Sequence, residues 1–348
     1  MPEANEMLEK SAGRETDAQA SQRIREDLRR KVLNEGPERA AFIADHPIHL
    51  PTTQILTNSI KEAYLKVLED LKFFRNGTFH SADFRVGKST AMLKIMDILA
   101  RELPNVAFSY MSAQDIQKNV ARNFWGDVLT AFGLDTSGNA QDRQKRVRLA
   151  MLAACNEVGG KHFCLFIDEA QNMKELEFTA LRDLSNHMQN IDKYILSTKC
   201  WGDPRLDQLS ADFRANRIDL WNRFLMIPQR FAGVQGLKDL EFFMKEHDSP
   251  KRCEYPVGSG LSFSEFHLPL AFSEGWRLAS EATNLWDAFS RAAEGVGRAT
   301  SNVGMAWDKE SVRSFLVLSI HKDSRVFRSE AADWDVAVDQ SNYIGSLV

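Results

Sequence analysis

The sequence has few cysteines and no long apolar run. The four cysteines, Cys155, Cys164, Cys200 and Cys253, are scattered among 348 residues. None belongs to a Cys-x-x-Cys pair or has a histidine at metal-ligand spacing, which argues against a zinc module and predicts reduced, structural thiols. No apolar run approaches the ~18–20 residues that a membrane span needs, and the N-terminus is too polar for a secretory signal. We therefore expect a cytoplasmic protein.

The sequence also lacks an excess of either charge. It has 44 Lys and Arg against 48 Asp and Glu, with a formal net charge of −4. This balance excludes a polycationic, histone-like protein, but it permits contact with nucleic acid through a local basic face. The length and the 43% content of hydrophobic residues predict one large globular domain with additions, or two modest domains.

The first 50 residues show three kinds of sequence. Residues 1–17 are polar and acidic, which predicts disorder. From Ala18 to Leu33 apolar residues recur every four positions among arginines, which predicts a basic amphipathic helix. This helix is either a packed surface helix or an arm that docks on a partner or on DNA. His46 and His49 in "HPIHLP" come closest to a metal pair, but the prolines favour extended chain and a packing role.

Beyond residue 50, short apolar runs alternate with helical patterns. The predicted strands are Thr78 to Ser81, Val106 to Met111, Phe163 to Ile167, Tyr194 to Thr198 and Phe224 to Ile227. The first predicted helix begins at Thr52 or Thr53. Four more helices are predicted, over 88–102, 114–132, 141–157 and 175–190. Such alternation predicts an α/β fold with a parallel five-stranded sheet between helices.

The segment "HSADFRVGKST", His80 to Thr90, lies between a predicted strand and a predicted helix. It resembles the phosphate-binding loop G-x-x-x-x-G-K-[ST], with Ala82 at the first glycine position. Such loops hold phosphates with backbone N–H groups, the lysine and the helix N-terminus. Alanine is tolerated at the first position if its φ is negative. The predicted nucleotide-binding residues are Asp83, Phe84, Arg85, Val86, Gly87, Lys88, Ser89 and Thr90.

A second motif, "FCLFIDEAQ", ends an apolar strand in two acids. A buried strand has no packing reason to end in this way, although a helix N-cap is an alternative explanation. Together with Lys88 and Ser89, the acids favour a nucleoside triphosphatase. Asp168 and Ser89 would hold Mg²⁺, and Glu169 would polarise the water that attacks the γ-phosphate.

Further catalytic candidates follow this motif. In "KYILSTKCWGD", Ser197 and Thr198 are predicted at a strand end, where a polar side chain either orients the lytic water or caps the strand. In "DFRANRIDLWNRF", an arginine presented to a neighbouring subunit's γ-phosphate would offset transition-state charge. We favour Arg217, then Arg223, although each also suits a surface ion pair.

These motifs together resemble an AAA+ ATPase. More narrowly, "HPIHLPTTQ", "LFIDEAQN" and "NRFLMIPQRFAGVQGLKDLEFFM" resemble the TnsC/TniB group of transposition regulators, over about Ala40 to Lys245. The resemblance implies an enzyme that uses ATP and Mg²⁺ and forms homo-oligomeric rings or filaments on double-stranded DNA. It also implies two protein partners, a target-selection factor and a transposase.

The resemblance further implies three parts of the chain. These are an N-terminal extension over 1–50, an AAA+ P-loop core over 51–235, and a helical lid with a tail over 236–348. Lids of this family often present an arginine to the phosphates, which makes Arg277 and Arg298 candidates. Ala82 departs from the family pattern, and we therefore expect slow hydrolysis.

Two basic stretches are candidates for DNA contact. Arg143, Lys145 and Arg146 belong to "RQKRVR", and Lys118 and Arg122 are spaced to share one helical face. Contacts would go to the DNA backbone with little sequence preference; a solvated helix surface is the alternative. Two other functions fit the same motifs: a helicase-loader-like or other DNA-remodelling AAA+ ATPase, and an interaction scaffold that holds nucleotide without hydrolysing it.

Overall fold

The computed structural model describes residues 17–50, 53–118 and 120–347. The predicted disorder of residues 1–16 lies outside these ranges, whereas Asp17 already belongs to the first helix. Within them, no helix is long and apolar enough to cross a membrane.

The secondary structure alternates between helices and strands through the middle of the chain. The strands are β1 (Thr78–Ser81), β2 (Val106–Ser112), β3 (His162–Asp168), β4 (Ile195–Gly202) and β5 (Ile227–Arg230). The α-helices are α1 (Asp17–Leu33), α2 (Pro37–Ala44), α3 (Asn58–Lys72), α4 (Lys88–Glu102), α5 (Val120–Ala131), α6 (Ala140–Glu157), α7 (Glu175–His187), α8 (Arg205–Asn216), α9 (Ile218–Phe224), α10 (Leu237–His247), α11 (Phe263–His267), α12 (Pro269–Ser273), α13 (Ala282–Glu294), α14 (Met305–Ser319) and α15 (Ala331–Gln340).

The strands form one parallel sheet in the order β2-β3-β4-β1-β5. In register, Asp168 at the end of β3 lies beside Ser112 of β2, and Ile167 lies beside Cys200 of β4. All carboxyl ends therefore meet at one edge of the sheet, where open α/β sheets bind their ligands. The predicted five-stranded parallel sheet between helices is confirmed.

Strand β3 is covered by helices on both faces of the sheet. Phe163, Leu165 and Ile167 are buried in a cluster with residues of α5, α6 and α7. The alternate residues Cys164 and Phe166 are buried in a second cluster, with α3 and α4. Every residue of β3 is buried, as expected for a strand covered on both sides.

Several predicted boundaries differ from the structure. Helix α3 begins at Asn58 rather than near residue 53, because the Thr57 side chain accepts a hydrogen bond from the Ile60 amide and caps it. The predicted last strand starts too early, since Phe224 ends α9 and is buried there. Strand β4 continues to Gly202, four residues beyond its predicted end.

The chain divides into two compact units. The core unit consists of Leu56–Gln235 with Ser301–Ala306 and contains the whole sheet; the other described residues form the second unit. The predicted boundaries after residues 50 and 235 stay a prediction.

The second unit has a small core of its own. Val32 of α1 packs with Leu261 and Phe266, and Arg29 forms an ion pair with Glu265 at 2.5 Å. His46 is buried there and accepts a hydrogen bond from the Ile48 amide at 3.0 Å. A packing role for this histidine agrees with its surroundings.

All four cysteines are buried, and none forms a disulfide. The interpretation of these cysteines as reduced, structural residues therefore agrees with the structure. Burial raises the pKa of the Cys155 thiol to about 11, which keeps the reactive thiolate form scarce.

Candidate active site

The loop between β1 and α4 is shaped by its backbone. The Ala82 amide donates to the Gly202 carbonyl at 3.0 Å, which ties the start of the loop to the end of β4. Arg85 and Gly87 have positive φ, at 60° and 92°, whereas the φ of Ala82 is negative. Alanine therefore carries no conformational penalty at the first position of the motif.

Lys88 and the start of α4 supply the groups that a phosphate would need. Gly87 caps α4 without a side-chain hydrogen bond. The first N–H groups of a helix have no partner inside it, so they are available to an anion. The buried Lys88 folds back over the loop, with its Nζ 3.5 Å from the Ala82 carbonyl and 5.7 Å from the centre of the Phe84 ring.

The other loop side chains differ in exposure. Asp83 is paired with Arg230 at 2.5 Å and lies 3.4 Å from the Asn302 amide, which offsets its negative charge beside the loop. Phe84 and Arg85 are exposed, Val86 is buried and Thr90 is half-buried. Contact of these side chains with a nucleotide stays a prediction.

Ser89 and Asp168 meet, as a Mg²⁺ site requires. The Ser89 hydroxyl donates to Asp168 Oδ2, which also accepts from the Tyr110 hydroxyl at 3.0 Å. Burial and the charge of Asp168 raise the pKa of Tyr110 to about 12, so this phenol stays protonated as a donor. Sequence reasoning missed Tyr110, which looks like an ordinary apolar residue of β2.

The donors present fit Mg²⁺. A hydroxyl and a carboxylate are the hard oxygen ligands that this ion prefers, with phosphates and waters completing its octahedral shell. Among the described residues, no group of three or more His, Cys, Asp and Glu could hold a metal ion. The ion would therefore be held by Ser89, Asp168 and the nucleotide together.

Glu169 is fixed beside Asp168 by its backbone and by one neighbour. It has a left-handed φ of 52°, and its amide donates to Asp168 Oδ1 at 2.9 Å. Gln171 donates through Nε2 to Glu169 Oε2 and accepts at Oε1 from the Asp203 amide at 3.1 Å. The sequence reasoning quoted Gln171 within "DEAQ" but gave it no role.

Ser197 and Thr198 do not reach this edge of the sheet, and their predicted position at the strand end is wrong. Both are buried within β4, where Ser197 pairs in register with Cys164 and Thr198 with Leu165. Ser197 Oγ contacts His162 Nε2 at 2.8 Å, at the start of β3 rather than at its end. Neither hydroxyl is placed to orient a lytic water beside Glu169.

Asp203 follows the true end of β4 and occupies the position predicted for those hydroxyls. It is 2% exposed and forms an ion pair with Arg205 at 2.7 Å. Burial alone would raise the pKa of Asp203, but hydrogen bonds from Arg205 and the positive charge of Lys88 lower it overall, so the carboxylate is ionised. Placing the strand end at Gly202 would have found this residue.

Both arginines proposed to reach a neighbouring subunit's γ-phosphate contact groups of their own chain. Arg217 pairs with Glu175 and, at 3.0 Å, with Asp219. Arg223 is half-buried and donates to Asn186 Oδ1 at 2.8 Å. A role for either residue in a neighbouring subunit's site stays a prediction.

The five predicted DNA contacts fall into two groups. Lys118, Arg122 and Lys145 are exposed, although Lys118 precedes α5 and does not share its face with Arg122. Arg143 is buried and donates to the Arg122 carbonyl at 2.9 Å, so its predicted contact with DNA is wrong. Arg146 is half-buried and bonded to the Asp135 carbonyl at 2.7 Å.

The predicted lid arginines lie in the second unit. Arg277 lies over the Phe272 ring at 3.7 Å and donates to the Phe272 carbonyl at 2.8 Å, whereas Arg298 is exposed. Their contact with phosphates stays a prediction.

Comparison with known proteins agrees with the fold and the motifs. Residues 78–209 match the family model described as "AAA domain", and the parallel five-stranded sheet with its P-loop is an AAA+ P-loop core. No curated protein gives a match to the sequence.

Several solved structures are similar at low sequence identity. The ORC2 protein of Aeropyrum pernix, in its ADPNP-ADP complexes, is 10% identical with a TM-score of 0.44, over 86% of this chain and 90% of that one. Domain III of the replication initiation protein DnaA from Thermotoga maritima is 13% identical with a TM-score of 0.42, over 84% and 96%. Drosophila ORC bound to DNA is 10% identical with a TM-score of 0.44, over 89% and 67%.

Proposed function

We propose that this protein is an ATPase that assembles on double-stranded DNA and links target selection to transposase recruitment. The observation that carries the ATPase proposal is the meeting of Ser89 with Asp168, between the Lys88 loop and Glu169. A lysine, a hydroxyl and two acids at the carboxyl edge of a parallel sheet are the groups that phosphoryl transfer to water requires.

The reaction follows from these side chains. Lys88 and the amides of the loop bind the β- and γ-phosphates, which orients the γ-phosphorus for attack. Water forms a new bond to this phosphorus as the bond to the bridging β–γ oxygen breaks, giving ADP and phosphate. The Glu169 carboxylate takes the proton of the attacking water. When bound, Mg²⁺ neutralises phosphate charge.

Assembly would complete the site. Arg217 is held in partly exposed ion pairs with Glu175 and Asp219, which a neighbouring subunit's γ-phosphate can replace. Such an arginine acts only in an oligomer, so hydrolysis is slow in the single chain and serves as a clock for disassembly.

DNA contact rests on fewer residues than nucleotide binding. Lys118, Arg122 and Lys145 are exposed cations of the core unit. They suit phosphate contacts and predict salt-dependent binding with little sequence preference. The transposition role, with its selector and transposase, rests on the TnsC/TniB-like motifs alone; a helicase-loader-like ATPase shares the other features.

A nucleotide-held scaffold is the second candidate function. Its support is that Arg217 and Arg223 both contact groups of their own chain. Without an available arginine, ATP would be bound and not turned over.

Imaging of assemblies tests the proposal. The protein is mixed with duplex DNA, Mg²⁺ and either ATP or a non-hydrolysable analogue. We expect nucleotide-dependent rings or filaments on DNA that are lost in Lys88→Ala; assembly that ignores nucleotide would contradict the proposal. Phosphate release by the same samples separates the clock from the scaffold.

A further inference from the structure

We infer that Gln171 is a positioning residue that holds the general base Glu169 to the end of β4. The inference rests on the proposed ATPase function and adds a residue to it. Gln171 joins two elements of the site, because its side chain contacts the Glu169 carboxylate at one end and the Asp203 amide at the other.

Chemistry fixes the orientation of this side chain. A backbone N–H can only donate, so the atom that faces Asp203 must be the Gln171 oxygen, 3.1 Å away. An ionised carboxylate can only accept, so the atom that faces Glu169 must be the Gln171 nitrogen. Both partners demand the same orientation of the amide, and an ionised glutamate in this place could accept from the Asp203 amide but could not donate to Glu169.

Gly202 makes room for the Gln171 bridge, by which we mean the contacts of this side chain with the Glu169 carboxylate and the Asp203 amide. A Cβ at this position would lie 2.3 Å from Gln171 Oε1, closer than any real contact. Gly202 does not have a positive φ, so its backbone would accept another residue. The same Cβ would also lie 3.1 Å from Leu206 Cδ2, but its closest approach is to Gln171, so glycine at the end of β4 makes space mainly for the Gln171 side chain.

The bridge restricts a side chain that would otherwise be mobile. A free glutamate has several rotamers, and ordering it costs side-chain entropy. Gln171 removes this freedom before the water is attacked, because it is itself anchored to the sheet. A base held in place raises the rate of the chemical step and leaves the binding of ATP unchanged.

Two variants break the bridge from opposite sides. Gln171→Ala removes the side chain, and Gly202→Ala displaces it. The matched controls are Gln208→Ala, at an exposed glutamine of α8, and Gly236→Ala, where an added Cβ meets nothing within 4 Å. Steady-state ATP hydrolysis with duplex DNA and Mg²⁺ is measured for all four, with thermal unfolding and equilibrium nucleotide binding as checks on folding.

We expect both bridge variants to lower kcat by about 10- to 100-fold with little change in KM, and both controls to match the wild type. The double variant should be no slower than the slower single one, because both act on one contact. In a Glu169→Ala background, Gln171→Ala should have no further effect. Gln171→Glu should move the acid limb of the kcat–pH profile to higher pH, since two neighbouring carboxylates share a proton.

The outcomes separate the inference from its premise. Full kcat in Gln171→Ala, or an equal loss in the Glu169→Ala background, overturns the role of Gln171 and leaves the ATPase standing. A wild-type protein that binds ATP on DNA but releases no phosphate overturns the ATPase proposal, and the inference falls with it.

Discussion

The middle and the end of strand β4 differ in what their residues contact: core groups in the middle, and the candidate active site at the end. Its middle holds Ser197 and Lys199, both fully buried, with partners at the start of β3 and on α3. At its end, the Gly202 carbonyl accepts from the Ala82 amide of the loop between β1 and α4, and the amide of the next residue, Asp203, donates to Gln171.

Position along the strand therefore decides what a polar residue does. Lys199 forms a fully buried ion pair with Asp70 at 3.0 Å and donates to the Arg75 carbonyl at 3.2 Å. These contacts pair the charge of Lys199 within the core and do not bring it to the proposed nucleotide site. Three residues further on, the chain reaches the edge where parallel strands bind ligands.

Lys88→Ala should have the largest effect on the strand-end site. Loss of the amine removes the positive charge on the phosphates, and we expect hydrolysis to fall by at least about 100-fold. Phosphate release and nucleotide binding measure this loss. Unchanged hydrolysis would place the site elsewhere.

Lys199→Met should have the largest effect on the middle of β4. It leaves the buried Asp70 carboxylate with only Lys66, 3.3 Å away, and we expect a loss of about 3 kcal/mol in the free energy of unfolding. Hydrolysis per folded molecule should stay at the wild-type value. Urea unfolding measures the loss, and adding Asp70→Leu should recover most of it. If Lys199→Met kept its stability but lost activity, the middle of β4 would serve the site rather than the core, contrary to this account.

Asp203→Ala sharpens the contrast with Ser197→Ala. Asp203 pairs with Arg205, and the charge of Lys88 helps to lower the pKa of Asp203, so loss of this carboxylate beside the site should lower kcat by roughly tenfold. Ser197→Ala breaks only the contact with His162, which costs about 1 kcal/mol of stability, and should not change kcat. Equal activity of the two variants would remove the distinction between strand middle and strand end.

Acid should lower the free energy of unfolding through His162, at the start of β3. Burial and the charge of Lys199 lower the pKa of His162 to about 4, from an ordinary value near 6.5. The neutral ring is favoured in the folded state, so its contribution is complete above pH 6.5 and is lost as the pH falls towards 4.

In His162→Asn, stability should fall less steeply between pH 6.5 and 5, by up to about 1.4 kcal/mol per pH unit. Thermal unfolding at several pH values measures the slope. Identical slopes in the variant and the wild type would show that the histidine does not titrate on unfolding.

Contiguous patterns made most of the fold predictable. The apolar run of β3 and the adjacent acids fix both the strand and its polar end, and Lys88 and Ser89 follow directly from the loop motif. Alternating strands and helices then require a parallel sheet.

Long-range partners explain what the sequence could not show. Ser197, Thr198 and Lys199 interrupt the apolar pattern of β4 and imitate a strand end, because His162 and Asp70 are distant in sequence. Arg143 looks like part of a basic surface, yet it packs against Gly126, where a Cβ would lie 2.5 Å from its guanidinium.

Phosphate release by the wild type and by Glu169→Gln tests the central claim most directly. Both proteins are assayed with duplex DNA, Mg²⁺ and ATP, at nucleotide concentrations where binding is saturated. We predict slow release by the wild type and at least about 100-fold less by the variant, with equal ATP binding. Equal rates in the two proteins would contradict the assignment of Glu169, and with it the active site at the carboxyl edge of the sheet.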